Sequence, residues 1–156
     1  MRAVVDTNIF IRALIKPSGP VGPVLARLAA GDYVQVYSDP VLSLLVAKLA
    51  LPRIRKKYSI DGSVIEATLA VIALRGELVV PTRKLKVCRD PKDDMLIEAA
   101  VAGNADYVVS GDQDLLVLKK FEQVRFVTPR AFLEALDSSC PKSPPGGPSL
   151  ALFSTP

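Results

Sequence analysis

Four aspartates, Asp6, Asp93, Asp112 and Asp114, fall where a chain of alternating strands and helices places reactive groups. Asp6 follows the apolar run 2–5, and Asp112 follows the run ending at Val109 by a two-residue turn, Ser110-Gly111. Asp93 belongs to the first turn of a helix opened by Asp90-Pro91, and Asp114 to the first turn of the helix after Ser110-Gly111. Open α/β sheets bind ligands beyond the carboxyl ends of their strands. If the first and fourth strands are neighbours, these carboxylates converge. Each alone has an ordinary use as an Asx turn, an N-cap or an acid favoured by the helix dipole. Crowded together they repel, by roughly 4 kcal/mol for unit charges about 4 Å apart at an effective dielectric of about 20. A shared cation relieves that repulsion. All-oxygen ligands select Mg²⁺ or Mn²⁺, ions that activate water and neutralise charge developing on a phosphodiester.

The composition narrows the chemistry further. The chain of 156 residues contains no histidine. This excludes Ser-His-Asp triads, Cys-His pairs, histidine general bases and His-ligated zinc. Two cysteines, Cys88 and Cys140, form no C-x-x-C and imply neither a disulfide framework nor a zinc site. A reducing, cytoplasmic setting is the expectation. Asp6 interrupts the N-terminal apolar run too early for a signal peptide, and no run of apolar residues is long enough to span a membrane. The net charge of +4 favours an anionic partner such as nucleic acid.

The elements that must position the aspartates can be read from periodicity and punctuation. Apolar, β-rich runs predict strands at 2–5, 34–37, 77–80, 106–109 and 124–127. Helices are predicted over 8–15, 24–30, 39–50, 53–58, 61–75, 91–102, from about 112, and over 129–136. Their ends carry the expected signals: Ser38 or Asp39, and Asp90, as caps, Pro40 and Pro91 in first turns, Gly31, Gly76 and Gly103 as stops. Strands alternating with helices give an α/β fold, a three-layer α/β/α sandwich around a parallel β-sheet of four to five strands. Five of the 13 prolines lie in the last 16 residues, beside Gly146-Gly147. The chain therefore divides into one folded domain, 1–137, and a disordered tail, 138–156.

Three blocks carry a resemblance to a known family. Val4-Val5-Asp6-Thr7-Asn8, Asp93-Asp94-Met95-Leu96-Ile97-Glu98-Ala99-Ala100 and Ser110-Gly111-Asp112-Gln113-Asp114-Leu115-Leu116 resemble the PIN domain, and within it the VapC-like toxins of toxin–antitoxin pairs. The resemblance covers about residues 2–136. It implies a Mg²⁺- or Mn²⁺-dependent endoribonuclease with metal ligands at Asp6, Asp93 and Asp112, and Asp114 as an auxiliary acid. Asn8 and Ser110 would orient water or carboxylates. RNA substrate, a small antitoxin and a homodimer are the implied partners, with no membrane. In one place the chain departs from the pattern. The glutamate that the family carries on the helix after the second strand aligns with Leu44. Two readings follow: Mg²⁺ held by the remaining carboxylates with water completing its shell, or a catalytically weakened PIN fold acting as an RNA- or protein-binding module.

Two basic clusters suit a phosphate-tracking rim: Arg53, Arg55, Lys56 and Lys57, and Arg83, Lys84, Lys86 and Arg89. Solvated surface is the ordinary explanation of both. Phosphoryl transfer by a haloacid-dehalogenase-like fold is disfavoured, because its D-x-D is here Asp6-Thr7-Asn8. A two-component receiver lacks its acidic pair beside the first strand.

Overall fold

The structure is a computed structural model, and it describes residues 1–139. Its centre is a six-stranded sheet: β1 (Arg2–Val5), β2 (Val34–Tyr37), β3 (Gly76–Leu78), β4 (Tyr107–Val109), β5 (Lys120–Phe121) and β6 (Val124–Val127). The spatial order is β3-β2-β1-β4-β6-β5. All pairings are parallel except β5 with β6. The fold is α/β, as the alternation of elements requires.

The helices are α1 (Thr7–Ile15), α2 (Gly22–Ala29), α3 (Asp39–Leu49), α4 (Pro52–Lys57), α5 (Gly62–Arg75), α6 (Pro91–Ala102), α7 (Gln113–Leu116) and α8 (Pro129–Ser139). Side chains alternate across the strands. On β1, Ala3 and Val5 join one core with residues of α1, α2, α5 and α8, while Val4 joins another with Ile97 and Ala100 of α6. Val109 and Val108 of β4 divide in the same way. These two cores are the interfaces between the three layers.

Two sequence expectations are corrected. The sheet has six strands rather than four to five. The additional strand, β5, is two residues long and antiparallel, and is set by turns rather than by an apolar run. Lys119 and Glu122 flank it with φ of 58° and 53°, and it covers the edge of β6 that would otherwise be open. Gly103 closes α6 as expected, with φ −97°. A Cβ there would stand 2.4 Å from Val36 Cγ1, so the absence of a side chain lets α6 settle on β2. Finally, α8 runs through Ser138 and Ser139, where a tail was expected to begin. The Ser138 hydroxyl donates to the Glu134 carbonyl at 3.1 Å. The remainder of the expected tail, 140–156, lies outside the described residues.

Strand order reverses between β1 and β4. From β1 the chain proceeds outward through β2 to β3, then crosses back to β4 on the other side. That switch point is where connections leave in opposite directions and open a crevice. The β1–β2 ladder extends only to Ala3 and Gln35. Beyond it the Val5 N–H donates instead to the buried Gln35 side chain, Oε1, at 3.2 Å.

Candidate functional site

Asp6 stands at the end of β1, 8% exposed, and caps α1. Its N–H donates to the Val109 carbonyl at 2.9 Å, locking the ends of β1 and β4 together. Its carboxylate accepts from the Asn8 N–H at Oδ1 (3.1 Å) and from the Ser110 hydroxyl at Oδ2 (2.9 Å). Ser110, itself buried, also accepts from the Asp112 N–H at 3.0 Å. One hydroxyl thus fixes both a carboxylate from β1 and the turn that carries Asp112. Asp112 in turn caps α7 by accepting from the Asp114 N–H at 2.9 Å.

Adjacent aspartates on α6 have different tasks. Asp94 is buried, and its Oδ1 accepts from the Val87 N–H (3.0 Å) and the Cys88 N–H (2.8 Å). One turn later, Glu98 accepts from the Leu85 N–H at 2.7 Å. These two acids tie down the segment that leads into α6. Asp93, about 100° around the helix, points to the crevice, and no hydrogen bond to its carboxylate is found among the described residues. Burial pushes its pKa up from 3.8 to about 6, and the negative charges of Asp112, Asp90, Asp6 and Asp114 add to the effect. Cys88 is affected by the same surroundings. Burial, then the charges of Asp94 and Asp93, push its thiol up to about 12, so it is a neutral thiol rather than a nucleophile.

The crevice has a volume of about 170 Å³. Asp6, Asp90, Asp93 and Asp112 line it, with Thr7, Asn8, Lys48 and Leu44 among the other walls. Of the expected site residues, Asp6, Asn8, Asp93 and Asp112 therefore share one cleft, and Ser110 lies behind it. Asp114 is exposed and outside the lining, although near enough for its charge to act on Asp93. The expected RNA contacts are elsewhere. Arg53, Arg55, Lys56 and Lys57 are exposed on α4, where Arg55 and Lys56 border a separate recess. Arg89 is exposed next to Asp90 but is not part of the lining. Arg83, of the second cluster, is paired with Glu122.

The sequence reading missed Asp90, Lys48 and Lys92 as cleft residues. Asp90 was visible only as a helix cap. Lys48 was visible as the residue one helical turn after Leu44, a signal that required knowing that α3 forms a wall.

The donor set fits a hard cation in kind: carboxylate oxygens, those of Asp93 without a hydrogen-bond partner among the described residues and raised in pKa by burial and then by the neighbouring charges. In arrangement the fit is looser. Among the described residues no group of three or more His, Cys, Asp or Glu side chains is gathered closely enough to hold a metal ion. An ion needing one or two protein carboxylates, with water as its other ligands, matches this better than a closed cage does.

The PIN domain family model matches residues 2–114. A curated relative, an uncharacterised protein of Methanocaldococcus jannaschii, is 28% identical over 145 residues, covering 88% of this chain and 92% of the relative. No solved structure gives a significant match. No helix among the described residues is long and apolar enough to cross a membrane.

Proposed function

The chain belongs to the PIN-domain family, whose members are generally nucleases, and on that premise we propose that it is a Mg²⁺- or Mn²⁺-dependent endoribonuclease. The observation that carries the proposal is Asp93. Its carboxylate, without a hydrogen-bond partner among the described residues, is held in a cleft with Asp6, Asp90 and Asp112, an arrangement that a bound cation would relieve.

Asp6, Asp93 and Asp112 would hold the cation, which when bound supplies positive charge for the phosphate and lowers the pKa of water. Ser110 and the Asn8 N–H fix both oxygens of Asp6, so this carboxylate is set before substrate arrives. Asp114, exposed beside the cleft, would accept the proton released by the attacking water or bind a second ion. We further propose, from the three motif blocks, a toxin of the VapC type. It would work in the cytoplasm as a homodimer, with a small antitoxin covering the cleft.

The test is incubation of the purified protein with Mn²⁺ and a mixed RNA pool, beside Asp6→Asn. Cleavage by the parent, none by the variant, and none in chelator support the enzyme. Growth arrest on induced expression of the parent but not of Asp6→Asn supports the toxin. Leu44 and the loose gathering of carboxylates favour a second reading, a weakened PIN fold that binds without cutting. RNA binding without cleavage by either protein would establish that reading instead.

A further inference from the structure

We infer that Lys48 is the residue that receives the substrate's phosphate in this cleft. The inference rests on an RNA substrate and deepens the reading above. Lys48 and Leu44 are one turn apart on α3, and both line the cleft. Helix α3 packs against α1 and α6, the two helices that present Asp6 and Asp93, so it forms the wall between them.

A glutamate four residues before a lysine on a helix is its natural ion-pair partner. With leucine at 44 that partner is missing, and among the described residues Lys48 makes no ion pair. Its ammonium donates instead to two neutral oxygens at the start of α1, Asn8 Oδ1 at 2.9 Å and Thr7 Oγ1 at 3.4 Å. An ammonium has three donors, so one is left for an anionic oxygen. Thr7 and Asn8 directly follow Asp6, and the ammonium is therefore held beside the carboxylates.

The position suits a phosphodiester for two reasons. Four aspartates line the cleft and repel a polyanion, so a fixed positive charge in the wall is where a phosphate meets least opposition. The Asn8 and Thr7 contacts also hold the long side chain in place, which reduces the entropy lost when a ligand binds. Lys92 lines the cleft as well, but its side chain makes no hydrogen bond or ion pair among the described residues and is exposed. It lacks that preorganisation. The leucine and the lysine thus act together. Removing one carboxylate weakens the claim on a cation and frees a positive charge for the substrate.

The test is fluorescence anisotropy of a short labelled single-stranded RNA in EDTA, with the parent, Lys48→Gln and Lys48→Arg. Glutamine can still donate to Asn8 but carries no charge. Lys48→Gln is expected to bind about tenfold more weakly, as for one charge-assisted hydrogen bond. Its log K against log salt slope should be shallower by about 0.7, the value for one phosphate contact on a single strand. Lys48→Arg should restore most of both. Mn²⁺ binding measured by EPR should be unchanged or tighter in Lys48→Gln, because a neighbouring positive charge is gone. Parent-like affinity and slope in Lys48→Gln would overturn the inference, as would a loss of Mn²⁺ binding with RNA binding intact. Binding through Lys48 by a parent that cleaves nothing would support the inference and refute the nuclease reading.

Discussion

Replacing Asp93 with asparagine should stabilise the metal-free protein while abolishing cleavage. The carboxyl is displaced from 3.8 to about 6, first by burial and then by the charges of Asp112, Asp90, Asp6 and Asp114. A group whose folded pKa is raised contributes stability that is complete below its unfolded value and is lost as pH rises through the folded one. For Asp93 the loss falls between about pH 4 and pH 6. At neutral pH the ionised form is a burden. A displacement of about 2 on the pH scale sets a ceiling of about 3 kcal/mol. Asp93 is half-buried, and solvent screening reduces this to about 1–2 kcal/mol. Asparagine keeps the shape and removes the charge. In EDTA at about pH 7.5 the variant should melt about 3–8 °C above the parent, and the gap should close as the pH falls toward about 4. Added Mn²⁺ should raise the parent's melting temperature more than the variant's, because ligand stabilisation grows with affinity. Thermal melts across this pH range provide the measurement. A variant no more stable than the parent at about pH 7.5, or an advantage independent of pH, would refute the reasoning.

Leu44→Glu should tighten Mn²⁺ binding about tenfold, by adding a carboxylate to a cleft wall, and should raise cleavage; EPR titration and the RNA assay measure the two effects. Asp94→Ala should destabilise the fold by about 2–4 kcal/mol, because two backbone N–H groups, of Val87 and Cys88, lose a charged acceptor; urea denaturation reads this. Cys88, with its thiol pushed up to about 12, should react with iodoacetamide at pH 8 far more slowly than Cys88 in the urea-unfolded chain. Peptide mass spectrometry separates Cys88 from Cys140. Equal rates would show that the thiol is not protected as its surroundings imply.

Asp93 and Asp94 illustrate how near in sequence two opposite roles can lie. A helix turns about 100° per residue, enough to send one carboxylate to the cleft and the other to the backbone of the preceding segment. The first suffers from its neighbours and the second is satisfied by two donors. A D-D pair at the start of a helix does not reveal which is which. The answer depends on where the 85–88 segment runs.

What the sequence determined by itself is local and periodic. Apolar runs, proline and glycine punctuation and capping side chains fixed the order and type of the elements other than β5, and alternation fixed the α/β class, because these signals act within a few residues. The three motif blocks and the absence of histidine pointed to carboxylates at the ends of β1 and β4. Only the tertiary structure decided which strands are neighbours, that α3 forms a wall of the cleft, and that Lys48 rather than the α4 cluster faces the aspartates. It likewise decided that Gly103 is a packing glycine and that β5 exists. The physical reason is common to all of these. A side chain's charge and its partners depend on what comes within a few ångströms of it, and here the groups that do so are up to about a hundred residues away along the chain, as Ser110 is from Asp6.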